Sequence, residues 1–181
     1  MRHVTGHGPI FQPPHSPEID DFRCDYPSMI GFEPCSTRDD RGCWLRNPVT
    51  GEEFNILTDY ETHAPTGTGR HYHLMASDMV LKNVDGVTNP DGQVFNETYP
   101  GPPIRACWGD EISVTVHNDL EHNGTSVHWH GIRQFFSSPM DGVNAVTQCA
   151  IAPGDEWTYT FEALQYGTSW YHSHYSLQVC Q

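Results

Sequence analysis

Ser126-Val127-His128-Trp129-His130-Gly131-Ile132-Arg133-Gln134 reads as a strand with a histidine at alternate positions of one face. In an extended chain, side chains two residues apart point the same way, about 6–7 Å from each other. His128 and His130 therefore form a two-imidazole claw, and Trp129 turns to the opposite face. Thr168-Ser169-Trp170-Tyr171-His172-Ser173-His174 repeats the arrangement with His172 and His174, Ser173 facing away. A chain with 12 histidines produces one such pair easily; two, each on an aromatic strand-like run, are harder to dismiss. Imidazole suits copper, zinc, iron and nickel, and copper(II) heads the affinity order. Because the ligands are neutral, the ion keeps its charge and stays Lewis-acidic or redox-active.

Working outward, further strands are predicted over residues 71–81, 111–118 and 156–161. Ile112, Val114 and Val116 alternate with Ser113 and Thr115, and Trp157, Tyr159 and Phe161 alternate with Thr158 and Thr160, as half-buried strands do. Turn signals separate the runs: Pro100-Gly101-Pro102-Pro103, Trp108-Gly109-Asp110 and Pro153-Gly154-Asp155. Short strands punctuated in this way indicate an all-β sandwich. No internal repeat and no long amphipathic helix stands out. Residues 1–60, rich in Pro, Gly, Asp and Arg without a sustained hydrophobic period, are expected to be an irregular lead to a domain over 61–181.

The 181 residues have room for one domain with such a lead. Nine Lys and Arg against 23 Asp and Glu give a formal net charge of −14, a surface that repels nucleic acid. No run approaches the ~18–20 apolar residues of a membrane span. Met1-Arg2-His3-Val4-Thr5-Gly6-His7-Gly8-Pro9 lacks the apolar core of a signal peptide. Six cysteines and the sequons Asn96-Glu97-Thr98 and Asn123-Gly124-Thr125 nevertheless fit an oxidising, glycosylating compartment. The expectation is a secreted protein whose true N-terminus lies elsewhere.

The words around the histidine pairs sharpen the reading. Asn123 to Gln134 resembles the first copper motif of multicopper oxidases, fungal laccases in particular, and Tyr166-Gly167-Thr168-Ser169-Trp170-Tyr171-His172-Ser173-His174-Tyr175-Ser176-Leu177-Gln178 resembles the second. Asp141-Gly142-Val143, Val146-Thr147-Gln148-Cys149 and Ala152-Pro153-Gly154 fit the same pattern in order. The resemblance implies a cupredoxin-like Greek-key fold. It also implies copper in a three-ion cluster that reduces O2 to water, four of whose eight histidines come from the first domain. Carried over by position, His128 would bind the type 2 copper, His130 and His172 one type 3 copper, and His174 the other. Trp129, Trp170 and Tyr171 read as packing. Asp141 reads equally as a plain turn residue or as a proton relay. His71-Tyr72-His73 matches no copper motif and reads as a solvated strand start, and His63, His117 and His122 stand alone.

The cysteines divide. Cys35 and Cys43 bound a loop that resembles the N-terminal disulfide loop of ascomycete laccases, one of many pairings six cysteines permit. Cys149 matches a laccase cysteine that bridges to the far C-terminal end. Cys107 reads as a buried free thiol on a strand. With no His-Cys-His run, the copper that accepts electrons from substrate has no site here. In the family a Gly-rich turn and a further strand follow the second motif, whereas this chain reads Gln178-Val179-Cys180-Gln181. The domain is therefore expected to be incomplete, with an unpaired edge. The first reading is thus the front part of a laccase-like oxidase, partnered by further cupredoxin domains of the same polypeptide and, in the whole enzyme, by O2 and phenols. No catalytic residue is assigned, and the chain alone lacks the domains that turnover needs. A free-standing copper-binding cupredoxin module is the alternative. A zinc hydrolase is disfavoured, because neither motif places a Glu or Asp as HExxH would.

Overall fold

Alternating apolar and hydroxyl side chains build the centre of the molecule. A computed structural model describes residues 22, 24, 26–81 and 88–178; the readings placed on Met1–Pro9 and on 179–181 lie outside the described residues. In chain order the strands are β1 (Glu33–Pro34), β2 (Cys43–Arg46), β3 (Glu53–Asn55), β4 (Gly69–Leu81), β5 (Asn89–Phe95), β6 (Glu111–Asp119), β7 (Val127–His130), β8 (Glu156–Glu162) and β9 (Trp170–Ser173). One sheet runs β5-β4-β6-β8, a second is the pair β7-β9, and a third is β1-β2-β3. The β4–β6 pairing is parallel, from Gly69 opposite Glu111 to Ser77 opposite Asp119. The other pairings are antiparallel.

The core lies between the first two sheets. Leu74, Ile112, Val114, Val116, Tyr159 and Phe161 of the larger sheet meet Val127 and Trp129 of β7, with Ile151 beside them. Burial of each such side chain contributes about 1.5–3 kcal/mol. The Trp129 ring stands edge-on to Tyr159 at 5.3 Å and lies 5.2 Å from Phe161, so it packs as expected. The Val127 N–H donates to the Tyr159 hydroxyl at 2.9 Å, which ties the strand of the first histidine pair to β8. The architecture is the all-β sandwich that the strand pattern predicts.

Two regions differ from expectation. The lead contains a small sheet, β1-β2-β3, whose buried Phe54 gathers Phe32, His63 and Trp108 with ring centroids 5.5 Å away. These aromatics are too scattered in sequence to form a period, so only the fold assembles them. β5 escapes prediction because Asn89-Pro90-Asp91-Gly92 carries turn residues. As an edge strand bonded, among the described residues, to β4 alone, it tolerates proline.

The Cys35–Cys43 disulfide is present. Cys107 corrects the reading as a free thiol on a strand: it lies in the loop before β6 and pairs with Cys24. Their sequence separation of 83 hides the pairing, although the fold brings their Cα atoms to 5.5 Å. Cys149 is exposed and is the free cysteine among the described residues.

Beside this disulfide, the buried Asp110 carboxylate accepts from the N–H groups of Thr68 and Cys107, both at 2.8 Å, and from Arg70 Nε at 2.7 Å. Burial alone would raise its pKa. The Thr68, Arg70 and Cys107 hydrogen bonds and the guanidinium charge outweigh that and hold it below the usual aspartate value. Beside β9, which among the described residues pairs with β7 alone, a cleft of about 730 Å³ opens between the layers. Val94, Phe95, Ile104, Ile112, Trp129 and Phe161 line it. Among the described residues no helix is long and apolar enough to cross a membrane.

Candidate metal centre

Antiparallel pairing of β7 with β9 sets His128 directly across from His172, and His130 across from Trp170. Just past β9, the His174 N–H donates to the Ser126 carbonyl at 2.8 Å, so the register continues. The strand alternation read from the sequence thus places four imidazoles together. The His128 ring centroid lies 5.5, 5.4 and 5.6 Å from those of His130, His172 and His174. Ligand atoms of His128, His130 and His172 all fall within 4.8 Å of one another, the one group of three or more His, Cys, Asp or Glu ligands this close among the described residues. His174 lies outside that group, its centroid 6.1 Å from that of His172.

The ring nitrogens are differentiated by their partners. His128 Nδ1 is 2.7 Å from the Asp141 carbonyl, and His172 Nδ1 is 2.7 Å from the Ser173 carbonyl. A carbonyl only accepts, so both Nδ1 atoms carry the proton and both Nε2 atoms keep a free lone pair. His130 Nδ1 faces His172 Nε2 at 3.4 Å. That gap is shorter than two metal–imidazole bonds of about 2.0–2.1 Å each, so one ion can touch both. Burial lowers the pKa of His172. His128, His130 and His174 push in the same direction, against the Ser173 carbonyl, which favours the neutral form a metal ligand needs. The donor set is all imidazole, without a carboxylate, and fits copper.

Asp141 sits at the end of a 3-10 turn, Ser138–Met140, and reaches His128 chiefly through its backbone; its Oδ1 is 3.4 Å from His128 Nδ1. The next residue, Gly142, has φ +78° and lies against the backbone of β7: a Cβ there would fall 1.7 Å from the Val127 carbonyl oxygen. Trp170 departs from the packing role expected of it. It is 59 % exposed and lies flat on the His130 ring. The signal was present in the alternation that puts Trp170 on the same face as His172. Tyr171 does pack, against Phe95 at 5.5 Å and Trp129 at 6.0 Å. His71 and His73 lie exposed on β4; His63 and His122 stand near Glu52 and Glu121, at 3.6 and 3.3 Å.

The family model of the multicopper oxidases matches residues 78–181. The chain belongs to the multicopper oxidases. Copper is the metal that this family implies. A laccase of Arthroderma benhamiae is 46% identical over 176 residues, 94% of this chain and 26% of that protein. A laccase of Cryphonectria parasitica is 48% identical over 147 residues, 80% of this chain and 24% of that protein. Among solved structures, the laccase of Botrytis aclada superposes with a TM-score of 0.62 at 53% identity, covering 69% of this chain and 23% of that one. This multicopper oxidase chain therefore spans about a quarter of the length of the curated relatives it matches.

Proposed function

We propose that His128, His130, His172 and His174 hold copper as half of the trinuclear cluster of a laccase-type oxidase that couples the oxidation of phenols to the reduction of O2 to water. In this reading His128 serves the type 2 copper, His130 and His172 one type 3 copper, and His174 the other. Further cupredoxin domains of the same polypeptide supply the remaining four histidines. The observation that carries the reading is the convergence of three imidazoles within 4.8 Å, two of them with Nδ1 committed to backbone carbonyls.

Bound copper supplies electron storage and the place where O2 is reduced. The chain's own residues prepare for it. Asp141 and Ser173 fix the proton on Nδ1 of His128 and His172, so each Nε2 lone pair is available without a tautomer shift. Burial disfavours the charged form of His172. Trp129, on the opposite face of β7, anchors the strand in the core so that the histidines share one geometry. The two disulfides and the sequons at Asn96 and Asn123 support secretion of the protein.

Copper(II) titration of the purified 181-residue chain, followed by electron paramagnetic resonance and chelator competition, tests the reading. His128→Ala and His172→Ala should each weaken binding at least tenfold, and His71→Ala should leave it unchanged. Equal binding by all three variants and the parent would overturn the ligand assignment. The copper-loaded chain alone should consume no O2 with a phenol, since half of the cluster's ligands belong to another domain in this reading. Turnover by it would refute the half-cluster reading.

A further inference from the structure

His130 is held differently from its neighbours. His128 and His172 lock their rings with Nδ1–H bonds to carbonyls, the usual device by which a ligating histidine is oriented. His130 turns Nδ1 toward His172, and its Nε2 makes no hydrogen bond among the described residues. In place of that bond, the Trp170 indole lies against the imidazole with centroids 4.0 Å apart and planes inclined by only 21°. Trp170 is the cross-strand partner of His130, so backbone pairing itself delivers the stack. The Ser169 hydroxyl donates to the His130 carbonyl and secures the neighbouring main chain. Trp170 is 59 % exposed in this chain, and the His130 ring is its aromatic contact among the described residues.

We propose that Trp170 is a positioning residue that fixes the plane of the His130 ring by stacking, in place of the carbonyl hydrogen bond that orients His128 and His172. The proposal rests on the reading of His130 as a copper ligand. A stacked ring has lost its rotamer freedom before the ion arrives, so the ordering cost is met in folding and not in binding. Loss of a group that orients a ligand typically reduces metal affinity about 10–100-fold.

The test compares Trp170→Leu, Trp170→Phe, His130→Ala and Trp157→Leu, the last removing a 43 % exposed tryptophan on β8 as control. Copper(II) affinity is read by chelator competition. Trp170→Leu should fall about 10–100-fold, Trp170→Phe should recover most of the loss because a flat ring returns, and Trp157→Leu should match the parent. A Trp170→Leu chain that binds like the parent while His130→Ala does not would overturn the positioning role. Parent-like binding by His130→Ala would instead overturn the ligand reading on which the proposal stands. A metal-free measurement needs no variant to fold. In the parent, the His130 ring protons should show upfield NMR shifts from the indole ring current, and ordinary shifts would refute the stack.

Discussion

At Gly142, one methyl group separates an intact histidine site from a displaced one. A Cβ there would fall 1.7 Å from the Val127 carbonyl oxygen and 3.0 Å from the His128 nitrogen, on a backbone at φ +78°. Gly154 has nearly the same φ, +80°, with nothing within 4 Å of its Cβ position. The two glycines therefore separate backbone cost from collision. Gly154→Ala should lose about 1–2 kcal/mol in urea unfolding from the left-handed conformation alone. Gly142→Ala should lose clearly more and also weaken copper binding, because Asp141 and its bond to His128 must move. Equal losses without a copper effect would refute the coupling. The histidines themselves were legible in the sequence, since a period of two is enough to gather them. The carbonyl of Asp141 was not, because a backbone acceptor leaves no trace in residue type. Trp170 was legible in principle, by the same alternation, but a tryptophan beside a tyrosine reads first as core.

Between elements, the Asp110 carboxylate is the joint that fastens the start of β4 to the start of β6. Its hydrogen bonds come from Thr68, Arg70 and Cys107, so it links both strand entrances with the Cys24–Cys107 disulfide. A carboxyl held below its ordinary pKa stabilises the fold above that ordinary value, and the contribution is lost as pH falls through the lower, folded-state value. The parent should therefore lose stability below about pH 4. Asp110→Asn should cost about 1.5–3 kcal/mol near neutrality and flatten this acid limb. Urea midpoints measured between pH 3 and 7 check it, and parallel pH profiles for the two proteins would sink the assignment. Nothing in the residue order announces this joint. Arg70 and Asp110 lie far apart in sequence, and the parallel β4–β6 register brings them together.

Across the whole molecule, the two-layer architecture was legible because β6 and β8 each keep an apolar alternation. β5 and the small sheet of the lead were not, the first masked by turn residues and the second built on scattered aromatics. The cleft of about 730 Å³ between the layers leaves half-buried apolar side chains such as Phe95 and Ile104 open to small molecules. The native chain should therefore enhance and blue-shift the fluorescence of anilinonaphthalene sulfonate while still unfolding cooperatively. No enhancement by the folded chain would show the cleft closed in solution. The pairing of β7 with β9 also has a consequence in time. His130 and His172 are separated by 42 positions, and a ribosome adding about 5–20 residues per second needs about 2–8 s to cross that interval. Throughout it, β7 has been made and its strand partner β9 has not. A nascent chain thus offers one imidazole pair for seconds before the other exists, and an ion taken up by the finished constellation must arrive after residue 174 has been synthesised.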